Sequence, residues 1–391
     1  MTTTLTEAAS RAADWLVGSG VQLRGGDDRH RGGFACWYDA DTQSMPYVYA
    51  EITGYLVTLL CELAGRRRAP ALLASARAAG DWLVRTADPD TGAFPCLWPL
   101  EASRFADKHD LIYTFDTGVI VNGLVHLHRA TGEHRYLTAA RRAADWLLRD
   151  MRRADGSFAP VYDRRTGTRP TSDAEWSLCP GAYHTKVAIG LLNLARSTDD
   201  GALRAAAAGE CDHALGFQQP DGRFVTFPAE GGTNCHPHAY AAEGLWVAGR
   251  ELGRDDYLHA SARATAWLLA QQRADGMIPR HWHGGTPLYQ ERVDVLCQTL
   301  RLAAIHLAEG RLDDTPARRQ ALDRLVGLVL DSQQSSDDPR VDGGLSFGRL
   351  SDGSRVPHVN VWVSAFAVQA LTMHEQVMAG ADHGLAPLFL V

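Results

Sequence analysis

The chain has 391 residues, 45% hydrophobic and 22% charged, a balance that describes a globular protein with a large core and excludes disorder. Its net charge of -7 comes with no basic run longer than Arg66-Arg67-Arg68, so neither nucleic acid nor an anionic membrane is an expected partner. No apolar run approaches the roughly 18 residues that span a bilayer, and MTTTLTEAASRAADWL lacks the charged-then-apolar layout of a signal peptide, so a cytoplasmic location is expected.

Two kinds of segment alternate from the first residues onward. The first kind is an Ala/Arg-rich amphipathic helix ending in Trp-Leu, then a short polar stretch, a Gly turn and an aromatic. In chain order it reads RAADWLVGSG...GGFACW, AAGDWLVRTADPDTGAFPCLW, RAADWLLRDMRRADGSFAPVY, CDHALGFQQPDGRFVTF, ATAWLLAQQRADGMIPRHW and LDRLVGLVLDSQQ...DGGLSFG. Spacing at i, i+3, i+4 marks the helices, and the Asp-Gly or Thr-Gly pair in most copies marks a turn needing positive φ.

The second kind follows each of these and is apolar on most faces: YVYAEITGYLVTLLCELAG, YTFDTGVIVNGLVHLHRATG, AYHTKVAIGLLNLARS, HPHAYAAEGLWVAGRELG, ERVDVLCQTLRLAAIHLAEG and HVNVWVSAFAVQALTMHEQ. Several end in Gly, the expected left-handed stop. A helix apolar on most faces must be buried between neighbours, so the alternation implies two concentric layers. Six hairpins of one inner and one outer helix close into an all-α (α/α)6 barrel, expected as one domain over residues 1–391 because no Pro, Gly or Ser-rich linker divides it. Loops after the glycine turns, such as RRTGTRPTSDAEWSLCPG, are long enough to build the rim of a cleft. The seven scattered cysteines lie mostly in apolar helical sequence and suit reduced, buried thiols.

This pattern resembles the six-hairpin toroid superfamily, which includes glycoside hydrolases, polysaccharide lyases and sugar epimerases, with terpenoid cyclases and prenyltransferase subunits as more distant toroids. WLLAQQRADG and FQQPDGRF are similar to the Gln-to-Gly end of the cyclase repeat, whereas TFDTG, AYHTKVA and CHPHAYAAEGL look like bacterial toroids. The resemblance spans essentially the whole chain and implies a site at the barrel end where the inner helices begin.

Counting back about four turns along each inner helix reaches a polar position in every copy. These are Glu51, Asp116, His184 with Lys186, His236 with His238, Arg292 with Asp294, and His358 with Asn360. Carboxylates and amides there also serve as caps, but Lys, Arg and His carry the wrong sign for a helix N-terminus. An anionic ligand or acid/base work explains them better. Within GTNCHPHAY, Pro237 suits a first turn, and His236 and His238, two residues apart, cannot both face the barrel axis.

His184 and His238, on neighbouring copies, are the expected imidazole pair, with Glu51, Asp116 and Asp294 as carboxylates for glycosidic hydrolysis. Tyr49, Lys186, His236, Tyr240, Arg292, His358, Asn360 and Trp362 are expected to contact substrate, with Lys186 or Arg292 pairing a substrate carboxylate. Trp37, Trp98, Trp176, Trp282 and Trp362 are rim aromatics for sugar faces, whereas Trp15, Trp82, Trp146 and Trp267 belong to the core. No metal is expected; the alternative set Asp294, Cys297 and His358 resembles the zinc ligands of protein prenyltransferases but with a wider Asp-to-Cys spacing.

Serine-nucleophile, phosphate-loop and dinucleotide motifs do not occur, so no cofactor is expected. The leading expectation is a cofactor-independent enzyme acting on a sugar or oligosaccharide, uronate-containing, by hydrolysis, elimination or epimerisation. The alternative is an isoprenoid or terpenoid cyclase or dehydratase holding a carbocation in an aromatic cavity, against which stand the polar mouth and the lack of an Asp-x-Asp-Asp motif. A non-catalytic binding ring would instead carry a mouth whose charges are all paired.

Overall fold

The glycines of the repeat turns take the left-handed backbone expected of them, with φ from +76° at Gly92 to +104° at Gly32. Two residues beyond each turn, Phe34, Phe94, Phe158, Phe224, Ile278 and Leu345 are buried. Each turn thus drives an apolar anchor between the layers. The structure, a computed structural model, describes residues 4–100, 105–173, 175–350 and 352–391.

The outer helices are α1 (Leu5–Gly18), α3 (Pro70–Thr86), α5 (His134–Trp146), α7 (Gly201–Leu215), α9 (Asp255–Ala270) and α11 (Pro316–Ser332). The inner helices are α2 (Ala50–Arg67), α4 (Thr114–Thr131), α6 (Thr185–Thr198), α8 (Cys235–Leu252), α10 (Val293–Ala308) and α12 (Val361–Met378). Each inner helix packs on the next, and α12 returns to α2. Each is also backed by the outer helix that follows it, and α1 lies on α12 to complete the second layer. The (α/α)6 barrel is closed.

Short antiparallel strands tie the start of an inner helix to the loop leaving the next outer helix. Trp37–Asp39 (β1) pairs with His358–Asn360 (β10), which also pairs with Leu345–Ser346 (β9). Tyr47–Tyr49 (β2) pairs with Leu97–Pro99 (β3), and Leu111–Tyr113 (β4) with Val161–Asp163 (β5). Thr233–Asn234 (β6) joins His281–His283 (β7) and Thr286–Leu288 (β8). Four of these strands run straight into α2, α4, α8 and α12, so the ladders fix where those helices begin.

Small residues let the inner ring close. A methyl group at Gly190 of α6 would lie 2.1 Å from the Gly118 carbonyl oxygen of α4, inside any allowed contact. The core spans both layers and includes Trp15, Trp82, Trp146 and Trp267. At the end opposite the inner-helix starts, residues 387–391 fill the axis. The Leu388 carbonyl accepts from Asn122 Nδ2 and His126 Nε2, both at 2.9 Å, and the Phe389 carbonyl from Gln369 Nε2 at 2.8 Å. The barrel therefore opens at one end. No described helix is long and apolar enough to cross a membrane, and all seven cysteines are buried and unbridged.

Candidate active site at the barrel mouth

All six inner helices, or the residues immediately before them, contribute to one cavity of about 220 Å³ at the open end. It is lined by Glu51, Asp116 and His236 among the rings of Tyr49, Phe115, Tyr183, Tyr240, Trp176 and Trp362. Trp176 and Ser177 come from the long loop after the third glycine turn, the segment expected to form a rim.

Glu51 and Asp116 stand in the first turns of α2 and α4, where the helix dipole favours a negative charge. Both are nevertheless buried, and neither has an ion-pair partner within 4 Å among the described residues. Burial pushes Glu51 up to about 7, opposed by the Tyr49 hydroxyl and the charge of Lys186. Burial, and then the neighbouring charge of Glu51, drive Asp116 well above the usual carboxylate range, against a smaller effect from the Cys96 thiol. One Asp116 oxygen, Oδ2, is buried without a hydrogen-bond partner. Two adjacent carboxyls that cannot easily ionise together share the cavity.

Around Asp294 the charged groups are paired. Asp294, on α10, accepts from Arg292 Nε at 3.1 Å and Trp362 Nε1 at 3.3 Å. Burial raises its pKa, but the charges of Arg292 and His236 outweigh that and hold it down to about 2. His236 Nδ1 lies 2.8 Å from Gln298 Oε1 and 3.4 Å from Asp294 Oδ2. Both are acceptors, so Nδ1 carries the proton and Nε2 is left as the basic nitrogen. The ring is packed against Tyr240 and Trp176.

The expected pairing of His184 with His238 does not form. His238 Nδ1 accepts from the Phe224 N–H at 3.0 Å, and its Nε2–H donates to the Ala264 carbonyl at 3.1 Å. It is a neutral strut between α8, α9 and the fourth glycine turn, and burial lowers it to about 4. His184 is buried behind Tyr183, with ring centroids 4.1 Å apart, and burial lowers it to about 3. Neither ring lines the cavity.

The structure also places the other expected contacts. Of the two cations expected to meet a substrate carboxylate, Arg292 lines the cavity while held by Asp294, whereas Lys186 does not line it and has its Nζ 3.0 Å from Glu243 Oε2. Asn360 is spent on capping α12, accepting from Val363 N at 3.0 Å, and His358 stacks on Trp37 beside Asp39. Asp294, Cys297 and His358 do not gather: Asp294 is bound by Arg292, His236 and Trp362, and no described group of three His, Cys, Asp or Glu is placed to hold a metal ion.

Among the rim tryptophans, Trp176 and Trp362 reach the cavity, whereas Trp98 is buried against Trp82 and Trp282 lies under Arg223. Cavity residues that sequence reasoning passed over include Tyr47, Cys96, Lys108, Tyr113, Phe115 and Tyr183. Lys108 precedes α4 on a 3-10 turn and has no ion-pair partner among the described residues. Glu243 and Arg301 were passed over too. Charged residues inside nearly all-apolar helices were the signal, since a buried charge needs a partner.

Neither a protein-family model nor a curated protein sequence matches the chain. Solved structures do. A cellobiose 2-epimerase from Bacillus thermoamylovorans B4167 superposes with a TM-score of 0.76 at 13% identity, covering 92% of this chain and 97% of its own. Unsaturated glucuronyl hydrolase from Bacillus sp. GL1 gives 0.68 at 16% identity, with coverages of 97% and 100%. A D-mannose isomerase gives 0.69 at 10% identity, with 94% and 96%. The chain shares the barrel fold of these sugar enzymes. At such identities the likeness is one of fold, so within this (α/α)6 barrel the chemistry has to be argued from the side chains at the mouth.

Proposed function

We propose that the protein is an enzyme acting on a sugar or oligosaccharide, with Glu51 and Asp116 as its acid/base pair. The observation that carries this reading is that two buried carboxyls without cationic partners face one aromatic-walled cavity. One member of such a pair holds a proton while the other is ionised, the division that glycosidic cleavage requires. The acid passes its proton to the leaving oxygen, and the carboxylate either takes a proton from the attacking water or bonds to the sugar carbon. Tyr183, Trp176 and Trp362 supply faces on which a sugar ring stacks. The similar folds of a glucuronyl hydrolase, a cellobiose epimerase and a mannose isomerase support a sugar substrate.

His236 supports a second reaction on the same substrate class. Its Nε2 is an oriented base at the cavity and can remove a proton from a carbon beside a carbonyl, the first step of epimerisation or aldose-ketose isomerisation.

The test offers the purified protein an unsaturated glucuronyl disaccharide, cellobiose and mannose, following products by anion-exchange chromatography and NMR in D2O. Hydrolysis is expected to fall by about 10²- to 10⁴-fold in Glu51→Gln and Asp116→Asn. Deuterium incorporation at carbon without bond cleavage, lost in His236→Ala, would instead select the epimerase reading. If all three sugars are left unchanged and unbound, the proposal fails.

A further inference from the structure

Between the inner helices α6, α8 and α10 the barrel holds a buried charge group that does not line the cavity. Arg301 donates from Nε to Glu243 Oε1 at 2.8 Å, and its Nη2 lies 2.5 Å from the same oxygen. Lys186 Nζ lies 3.0 Å from Glu243 Oε2. All three side chains are almost wholly shut off from solvent, at 0% to 1% exposure. Two cations therefore share one carboxylate, leaving one positive side-chain charge in excess. The next polar group along the axis, Gln369, is neutral and accepts from Arg301 at 3.4 Å. Glu62 beyond it has its own cation in Arg66, at 2.9 Å.

An unbalanced buried charge is costly unless an opposite charge stands within reach. Lys186 Nζ lies 5.5 and 5.6 Å from the ring centroids of Tyr240 and Tyr55. Tyr240 lines the cavity together with Glu51. Resting on the acid/base reading above, we propose that Lys186, held by Glu243 and Arg301, is a positioning residue that makes Glu51 the ionised member of the carboxyl pair and leaves Asp116 to hold the proton.

The surroundings of Glu51 agree with this division. Lys186 on α6 acts on Glu51 and opposes its protonation, whereas for Asp116 on α4 the leading opposing groups are Cys96 and, more weakly, Lys108. From α8, Tyr240 and Glu243 face the axis and His236 faces the cavity; from α10, Arg301 is bound to Glu243, and Asp294 to Arg292. Tyr49 and Tyr55 flank Glu51 from its own element, and α12 offers the uncharged Trp362 and Gln369. Lys186 is itself lowered by burial, with Glu243 opposing, to about 8, so it remains an ammonium at neutral pH.

Two kinds of substitution separate this from a merely structural role, because one removes the charge and the other keeps it. Lys186→Met removes the cation, leaves Glu243 and Arg301 as a balanced pair, and is expected to raise Glu51's proton affinity about tenfold, one unit in its titration. Lys186→Gln, which keeps a hydrogen-bond donor without the charge, is expected to do the same. Lys186→Arg keeps the charge and is expected to hold the wild-type titration. The readouts are the carboxyl titration of Glu51, from 13C-glutamate spectra assigned by difference against Glu51→Gln, and the rising limb of the pH-rate profile. A rise in Lys186→Met and Lys186→Gln that Lys186→Arg does not show supports the proposal. Equal shifts in all three variants, or loss of stability with the titration unmoved, overturn it. The NMR titration needs no substrate, so that rise in a protein that turns over no sugar would defeat the acid/base reading and leave this inference standing. Turnover with an unmoved titration would do the reverse.

Discussion

His236 Nδ1 lies 3.4 Å from Asp294 Oδ2, and that carboxylate is also gripped by Arg292 and Trp362. Because Asp294 is held at about 2 in the folded protein, against a usual 3.8, its contribution to stability is fully present above about pH 4 and is lost as the pH falls toward 2. Asp294→Asn is expected to lose about 3–5 kcal/mol at pH 7, having left a buried arginine unpaired. Urea denaturation at pH 7 and pH 2.5 checks it: the gap to wild type must shrink in acid, and a gap independent of pH would mean that the carboxylate charge is not what stabilises the wall.

His236 and His238, two residues apart, are expected to respond oppositely to alanine. His238→Ala leaves the Phe224 N–H and the Ala264 carbonyl without partners, a loss of about 1–3 kcal/mol for each buried group. Its kcat per folded molecule should stay near wild type. His236→Ala deprives one buried acceptor, Gln298 Oε1, of its donor and should cost less stability than His238→Ala, about 1–3 kcal/mol in all, yet lose substrate affinity or turnover. Thermal melts paired with kinetics on the same preparations decide, and a reversed pattern would undo the placement of both rings.

Activity is expected to rise with pH through about 7. Burial raises Glu51 from 4.5 to about 7, so its ionised form accumulates only above that point. The sign for stability is the reverse: a carboxyl whose folded pKa is raised destabilises the fold progressively as pH climbs from about 4.5 to 7. Glu51→Gln should therefore gain stability relative to wild type over that interval while losing activity. A rate independent of pH between 5.5 and 8 would count against Glu51 as the titrating group.

Lys108 is the cavity cation without an ion-pair partner among the described residues, and it acts on Asp116. On an anionic sugar, Lys108→Met is expected to raise KM about tenfold to a hundredfold, the cost of one charge-assisted hydrogen bond. A neutral disaccharide should be affected little. Equal effects on both substrates would show that Lys108 does not discriminate charge.

The contact between α4 and α6 offers a test of the ring itself. Gly190→Ala improves helix propensity by about 1 kcal/mol, yet its methyl would press on the Gly118 carbonyl. A net loss of about 1–3 kcal/mol is expected, as for other overpacked cores. An increase in melting temperature would mean that the inner helices have room to part.

The repeat makes the architecture legible in the sequence. Trp15, Trp82 and Trp146 are core because amphipathic periodicity puts them on the inward face of outer helices. Glu51, Asp116, His236 and Arg292 reach one cavity because every inner helix starts at the same end of a closed ring. The strands were beyond reach, since pieces of two or three residues carry no period. His184 and His238 misled for a different reason: their spacing marks height along a helix, and not which neighbour the ring meets.

Composition, the alternation of amphipathic and apolar helices and the glycine turns thus determined the barrel, its layers and the end at which polar groups collect. Those properties follow from local sequence, because periodicity and backbone φ are set within a few residues. Only the tertiary structure decided that Lys186 and Arg292 carry their own counter-ions, that Glu51 and Asp116 do not, and that His236 rather than His238 faces the cavity. Ionisation and exposure depend on groups brought from other helices, at distances of a few ångströms that no spacing along one chain specifies.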